Sequence, residues 1–186
     1  MNKNLLITVL ASQVGLFAVT PNTAWVVQKQ GQSLTACRTT LKAFDCNNVS
    51  FDVVVEIAYA SDDNKTASLN VILSNASKFK NLNLNDFDPW GPKPKYKTFE
   101  LLEKHKNKAF RFYAEGSNTT ESSSDEFSFN ISTRKKNSQL YKFLEEALNS
   151  KSEWVITITS PVDKHKYIKI SLNFDGAHDF IDKIVL

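Results

Sequence analysis

Asp175, His178 and Asp179 form the best-spaced metal-ligating set in the sequence. Residues at i, i+3 and i+4 meet on one helix face, and a histidine between two carboxylates suits a divalent cation. The same residues have a plainer use. Asp175 is a good helix N-cap, and the stripe Ala177, Phe180, Ile181 and Ile184 leaves His178 and Asp179 on the wet side. The cap-and-surface reading is therefore the expectation, and no metal site is expected. His105 and His165 have no ligand partners at useful spacing. Serines are plentiful, yet no Gly-x-Ser-x-Gly elbow surrounds any of them. The chain has only 5 glycines, and none builds a phosphate-cradling loop. Glu145-Glu146 and Asp62-Asp63 are sequence neighbours rather than facing pairs, so they read as surface. No catalytic residue and no cofactor is expected.

Cys37 and Cys46 are the only cysteines. An even pair in an oxidising compartment predicts a disulfide, here closing a connection through Thr39–Phe44 between two strand ends. The alternative is a pair of buried reduced thiols. Neither cysteine has a Cys or His at zinc spacing, and the pair is not Cys-x-x-Cys.

The oxidising compartment is inferred from the first 24 residues. Asn2 and Lys3 precede an apolar stretch from Leu5 to Val19, interrupted by Thr8, Ser12 and Gln13, and Thr20–Ala24 is small and turn-forming. That order is a secretory signal peptide. The apolar stretch is about 15 residues, short for a ~30 Å hydrocarbon core, so no stable membrane span is expected after cleavage. Cleavage near Ala24 leaves a mature chain starting at Trp25, periplasmic or secreted. A buried N-terminal element or an uncleaved anchor are the competing readings of the same residues. The net charge is +3. It argues against nucleic-acid binding, which calls for a strong basic surplus or stripe. The run Arg134-Lys135-Lys136 and the Lys-rich stretch 93–108 read as solvated faces.

Hydrophobic periodicity supplies the scaffold. Strands are predicted over 25–28, 34–41, 49–60, 69–73, 108–115, 127–131, 154–158 and 167–172. On 49–60, Phe51, Val53, Val55, Ile57 and Tyr59 share one face, and Asp52, Val54, Glu56 and Ala58 form a half-exposed one. Thr98–His105 is predicted to make one or two helical turns, and 116–126 a polar loop. Asn137 or Ser138 caps a helix to 149 bearing Leu140, Phe143, Leu144, Ala147 and Leu148. A second helix spans 176–184. The fold class is α+β: residues 25–186 form a single β-rich, antiparallel, sandwich-like domain with two short helices in its C-terminal half.

The segment Asp86-Phe87-Asp88-Pro89-Trp90-Gly91-Pro92 is the candidate partner-binding loop, with Phe87, Trp90 and Pro92 as its contacts. An aromatic held among prolines docks with little loss of conformational freedom. Equally, Phe87 and Trp90 can fold back to pin a long loop onto the core. Asn48, Asn64, Asn75, Asn118 and Asn130 each begin an Asn-x-Ser/Thr sequon, a glycan acceptor only in a suitable secretory pathway.

The order of the last fifty residues resembles the end of the invasion-associated locus B family of small exported bacterial β-proteins. The features are a helix to Leu148, strands Trp154–Thr159 and Tyr167–Leu172, the pair Ser171-Leu172, then Phe174 and Gly176 before an Ala-containing helix. Trp25 followed by Cys37 is similar to that family's N-terminal Trp and Cys. The family's later cysteine pair and its Pro/Gly/Val-rich central stretch are absent. The resemblance implies export and host association, and no catalytic residues. The functional expectation is an exported, non-enzymatic binding protein, a bacterial envelope or virulence-associated factor acting by protein–protein contact. The alternatives are a secreted hydrolase with an unrecognised site, or an envelope inhibitor or immunity protein that presents 86–96 or 116–126 as a wedge.

Overall fold

A computed structural model describes residues 24–30, 34–61, 65–82, 97–118, 125–160 and 162–186. The expected leader up to residue 23 and the loop carrying Phe87, Trp90 and Pro92 lie outside the described residues. The strands are β1 (Val26–Gln30), β2 (Leu34–Asp45), β3 (Ser50–Ala60), β4 (Thr66–Ser74), β5 (Lys97–Glu103), β6 (Lys108–Asn118), β7 (Glu126–Thr133), β8 (Trp154–Thr159) and β9 (Tyr167–Leu172). Two helices, α1 (Gln139–Asn149) and α2 (His178–Val185), fall where the apolar stripes place them.

All pairings are antiparallel, in the order β1-β2-β3-β4-β7-β6-β5-β8-β9, and β9 also pairs with β2. The sheet therefore curls until it closes on itself. β2 is long enough for two neighbours on one edge: β1 covers Leu34–Arg38 and β9 covers Ala43–Asp45. Trp25 bridges them. Its indole Nε1 donates to the Asn173 carbonyl at 2.9 Å, and its ring stacks on Phe174 at 5.5 Å.

The inward faces of the strands fill the interior, as period-two patterning requires. Val53, Val55 and Ile57 of β3, Leu69, Val71 and Leu73 of β4, and Phe127 and Phe129 of β7 are fully buried. At the end where β7 stops and β8 begins, α1 packs against the opening. Ser138 caps it by accepting from the Tyr141 amide at 3.4 Å. Its buried Phe143 meets Trp154 at 5.2 Å, Phe174 at 5.5 Å and Phe110 at 5.6 Å, all close to edge-on. Such offset contacts add about 0.5–1.5 kcal/mol each beyond burial.

Several expectations are corrected. The Cys37–Cys46 disulfide does not form, and both thiols are free. Residues 39–44 are not a connection but the middle of β2, one unbroken strand from Leu34 to Asp45. At about 3.3 Å per residue, the two cysteines stand roughly 25 Å or more apart, against the ~4.4–6.8 Å Cα separation that a disulfide needs. Mixed polarity hid this continuity: Arg38, Thr40 and Lys42 interrupt the sequence but point outward. Thr98–His105 is not helical. Lys97–Glu103 is the strand β5, with Phe99 and Leu101 inward, and sheet pairing on both edges overrides local propensity. The outer face of β3 is not uniformly half-exposed, since Glu56 and Ala58 are buried. Asp175 makes no side-chain cap. It opens a 3₁₀ turn, Asp175–Ala177, and Ala177 precedes α2. The polar loop begins later than expected, because β6 continues to Asn118.

Candidate binding cleft

β6 alternates in the way that builds a two-sided wall. Phe110 and Phe112 turn inward to Phe143, so Arg111 and Tyr113 must turn outward. Arg111 sits opposite Glu100 of β5, and its Nε donates to Glu100 Oε2 at 2.6 Å. Thr157 of β8 follows Glu100 in the same cross-strand row. Tyr113 is 76% exposed, an unusual state for so large a ring.

On its other edge, β6 keeps company with β7 only from Glu115 to Asn118, opposite Phe127–Asn130. Below that point the strands separate. There the chain leaves β7 at Thr133 and enters α1 at Gln139, whose Phe143 packs against Phe110 and Phe112. The opening is a cleft of about 770 Å³, within the range of ligand-sized pockets. Arg111, Phe112 and Tyr113 form one bank, Ile131 and Gln139 the other, and Glu100, Thr157 and Thr159 lie behind. Arg134 and Lys135, both exposed, fall in the chain between Ile131 and Gln139, and neither forms an ion pair among the described residues. The Arg111 side chain is 72% exposed, so its pair with Glu100 orients the guanidinium more than it stabilises the fold, at about 0–1 kcal/mol. Chemically the cleft offers a guanidinium fork, a phenol ring with a polar tip, threonine hydroxyls and an apolar floor. Tyr and Arg are side chains that supply large contact area and directional hydrogen bonds.

A second polar feature crosses the outer wall. Arg38, Glu56, Asn70 and Asn130 stand side by side on β2, β3, β4 and β7. The Arg38 guanidinium donates to Glu56 Oε2, the Asn70 amide donates to Glu56 Oε1 at 2.6 Å, and the Asn130 amide donates to Asn70 Oδ1. Both oxygens of the buried Glu56 are thus engaged, which is how a buried carboxylate is tolerated. The row explains why Asn130, a sequon residue, is tied into the wall. Asn48 and Asn75, by contrast, are exposed at left-handed turns with φ of 60°. A smaller cleft of about 450 Å³ lies beside Arg38 and β1.

The sequence-predicted site residues are dispersed. Phe87, Trp90 and Pro92 fall outside the described residues. Cys37 is buried in the core, and burial pushes its thiol up to about 11; Cys46 is half-buried beyond the end of β2. His178 stands 3.9 Å from Asp175, and among the described residues no three His, Cys, Asp or Glu side chains converge to hold a metal. His105 lies in the β5–β6 turn and His165 in the β8–β9 turn, both exposed. Arg111 and Tyr113 were visible in the sequence as the outward partners of Phe110 and Phe112. Nothing local showed that β7 would leave that edge uncovered.

No family model, no curated protein and no solved structure matches this chain. Among the described residues, no helix is long and apolar enough to cross a membrane.

Proposed function

We propose that this chain is an exported binding protein, a bacterial envelope or virulence-associated factor that acts by protein–protein contact and performs no catalysis. The observation that carries the reading is the pair Arg111 and Tyr113, 72% (side chain) and 76% exposed and two residues apart on the bank of one cleft. Arginine and tyrosine dominate the energetics of protein interfaces, and a rigid strand presents them with little ordering cost. Export is supported by the leader-like order of the first 24 residues. The latch at Trp25 supports the same boundary, because the residue after the expected cleavage point is fixed by Asn173 and Phe174. The resemblance of the last fifty residues to the invasion-associated locus B family supports the envelope or virulence setting.

The test is a pull-down with the exported form, comparing wild type with Tyr113→Ala and Arg111→Ala, and with Trp90→Ala in parallel. The reading expects a discrete partner that is lost with Tyr113→Ala. A partner retained by both β6 variants and lost only with Trp90→Ala would move the contact to the 86–92 loop. Partners unchanged by all three substitutions would remove the basis for a binding function at either place.

A further inference from the structure

We infer that the Tyr113 cleft takes an extended acidic peptide, added as a strand along the open edge of β6. The inference rests on the binding reading above and names the class of partner. Residues Lys108 to Ala114 of β6 pair with β5 on one edge. On the other edge, no strand among the described residues pairs with them, because the β6–β7 ladder stops at Glu115 opposite Asn130. A strand edge left bare offers alternating N–H and C=O groups that an extended backbone satisfies. The cleft of about 770 Å³ runs along this edge, with Ile131 and Gln139 on the opposite bank. It is a seam in the sheet: Phe112–Ala114 and Ile131–Thr133 all lie in strands, yet the ladder between β6 and β7 stops short of them.

Charge selects the side chains of the incoming strand. Arg134 and Lys135 are exposed and fall in the chain between Ile131 and Gln139, the two residues of the far bank, while Arg111 stands on the near one. Glu100 is engaged by Arg111, and Glu146 by Lys106 and Lys108. An alternating strand would thus place one set of side chains over Phe112 and Ile131 and offer carboxylates to Arg111 and Arg134. The same pattern gives a use to Arg134 and Lys135 of the basic run; Lys136 itself donates to the Leu186 carbonyl oxygen at 2.9 Å.

The probe is a seven-residue peptide alternating valine and glutamate, acetylated and amidated, titrated into the ¹⁵N-labelled exported form and followed by amide shifts and hydrogen exchange. Saturable binding tighter than about 1 mM is expected, with shifts and new protection between Ala109 and Tyr113. A central proline, which removes a ladder donor, should weaken binding about tenfold or more. The valine–lysine peptide should not bind, and the double variant Arg111→Ala/Arg134→Ala should weaken the glutamate peptide by about fivefold or more. Absence of saturable binding, or binding indifferent to proline and to charge sign, overturns the inference. If the pull-down still depends on Tyr113 in that event, the cleft binds a folded partner surface and only the strand-addition mode is wrong.

Discussion

Trp25→Ala isolates the latch that closes the sheet where β9 hands over to β1. A fully buried Trp truncated to Ala costs about 3–5 kcal/mol. Trp25 is half-buried against the core, so about half of that applies, near 2 kcal/mol. The lost hydrogen bond to Asn173 adds about 1 kcal/mol, and the stack on Phe174 a further ~0.5 kcal/mol. The expected total is about 3.5 kcal/mol, or a fall in Tm of roughly 7–14 °C for a domain of this size. Trp25→Phe keeps a ring over Phe174 but loses the indole donor, and should cost only about 1 kcal/mol. Both variants are read by guanidinium denaturation of the purified protein, with amide exchange to locate the effect. Protection should fall first in Val26–Gln30, because that strand's outer edge has no partner among the described residues. An alanine variant within about 0.5 kcal/mol of wild type, with β1 amides equally protected, would refute the latch.

Four further outcomes follow from the packing and the charges. Iodoacetamide should label Cys46 alone in the native protein and both cysteines after unfolding, as counted by mass. The raised Cys37 value should also make stability fall as pH climbs from the ordinary 9.0 towards about 11, since the unfolded chain releases that proton first. Hydrogen bonds from Lys108 and Lys106 hold the Glu146 carboxyl below its ordinary 4.5. Its contribution is present above that value and lost as pH falls through the lower folded value; Glu146→Gln should flatten this limb of the denaturant-midpoint profile, by under about 1 kcal/mol because the lysines are exposed. Phe143→Ala should destabilise by about 3–5 kcal/mol, and a loss below ~1 kcal/mol would mean that α1 does not plug the barrel end.

Legibility tracked the strength of local patterning. β3, β4 and β7 alternate cleanly, and α1 carries an apolar stripe with Ser138 before it, so these elements were readable from residue types alone. β5 was misread because Thr98–His105 also fits a short helix, and only the ladders to β6 and β8 decide between the two. The disulfide failed for a related reason. A strand twelve residues long reads as two when its outward positions are Arg38, Thr40 and Lys42. The closure of β9 onto β2 and the parting of β6 from β7 are long-range facts with no local signature. The Tyr113 cleft depends on the second, which is why the sequence pointed instead to the aromatic–proline loop.

The central claim, that the Arg111–Tyr113 face meets a protein partner, is tested most directly by a photo-reactive amino acid placed at position 113 in cells that produce the protein. A matched label at Lys164, exposed in the β8–β9 turn, reports non-specific capture. The account predicts one adduct of defined mass from position 113, absent from position 164 and suppressed by Arg111→Ala. A uniform smear from both positions, or an adduct only from position 164, would contradict it.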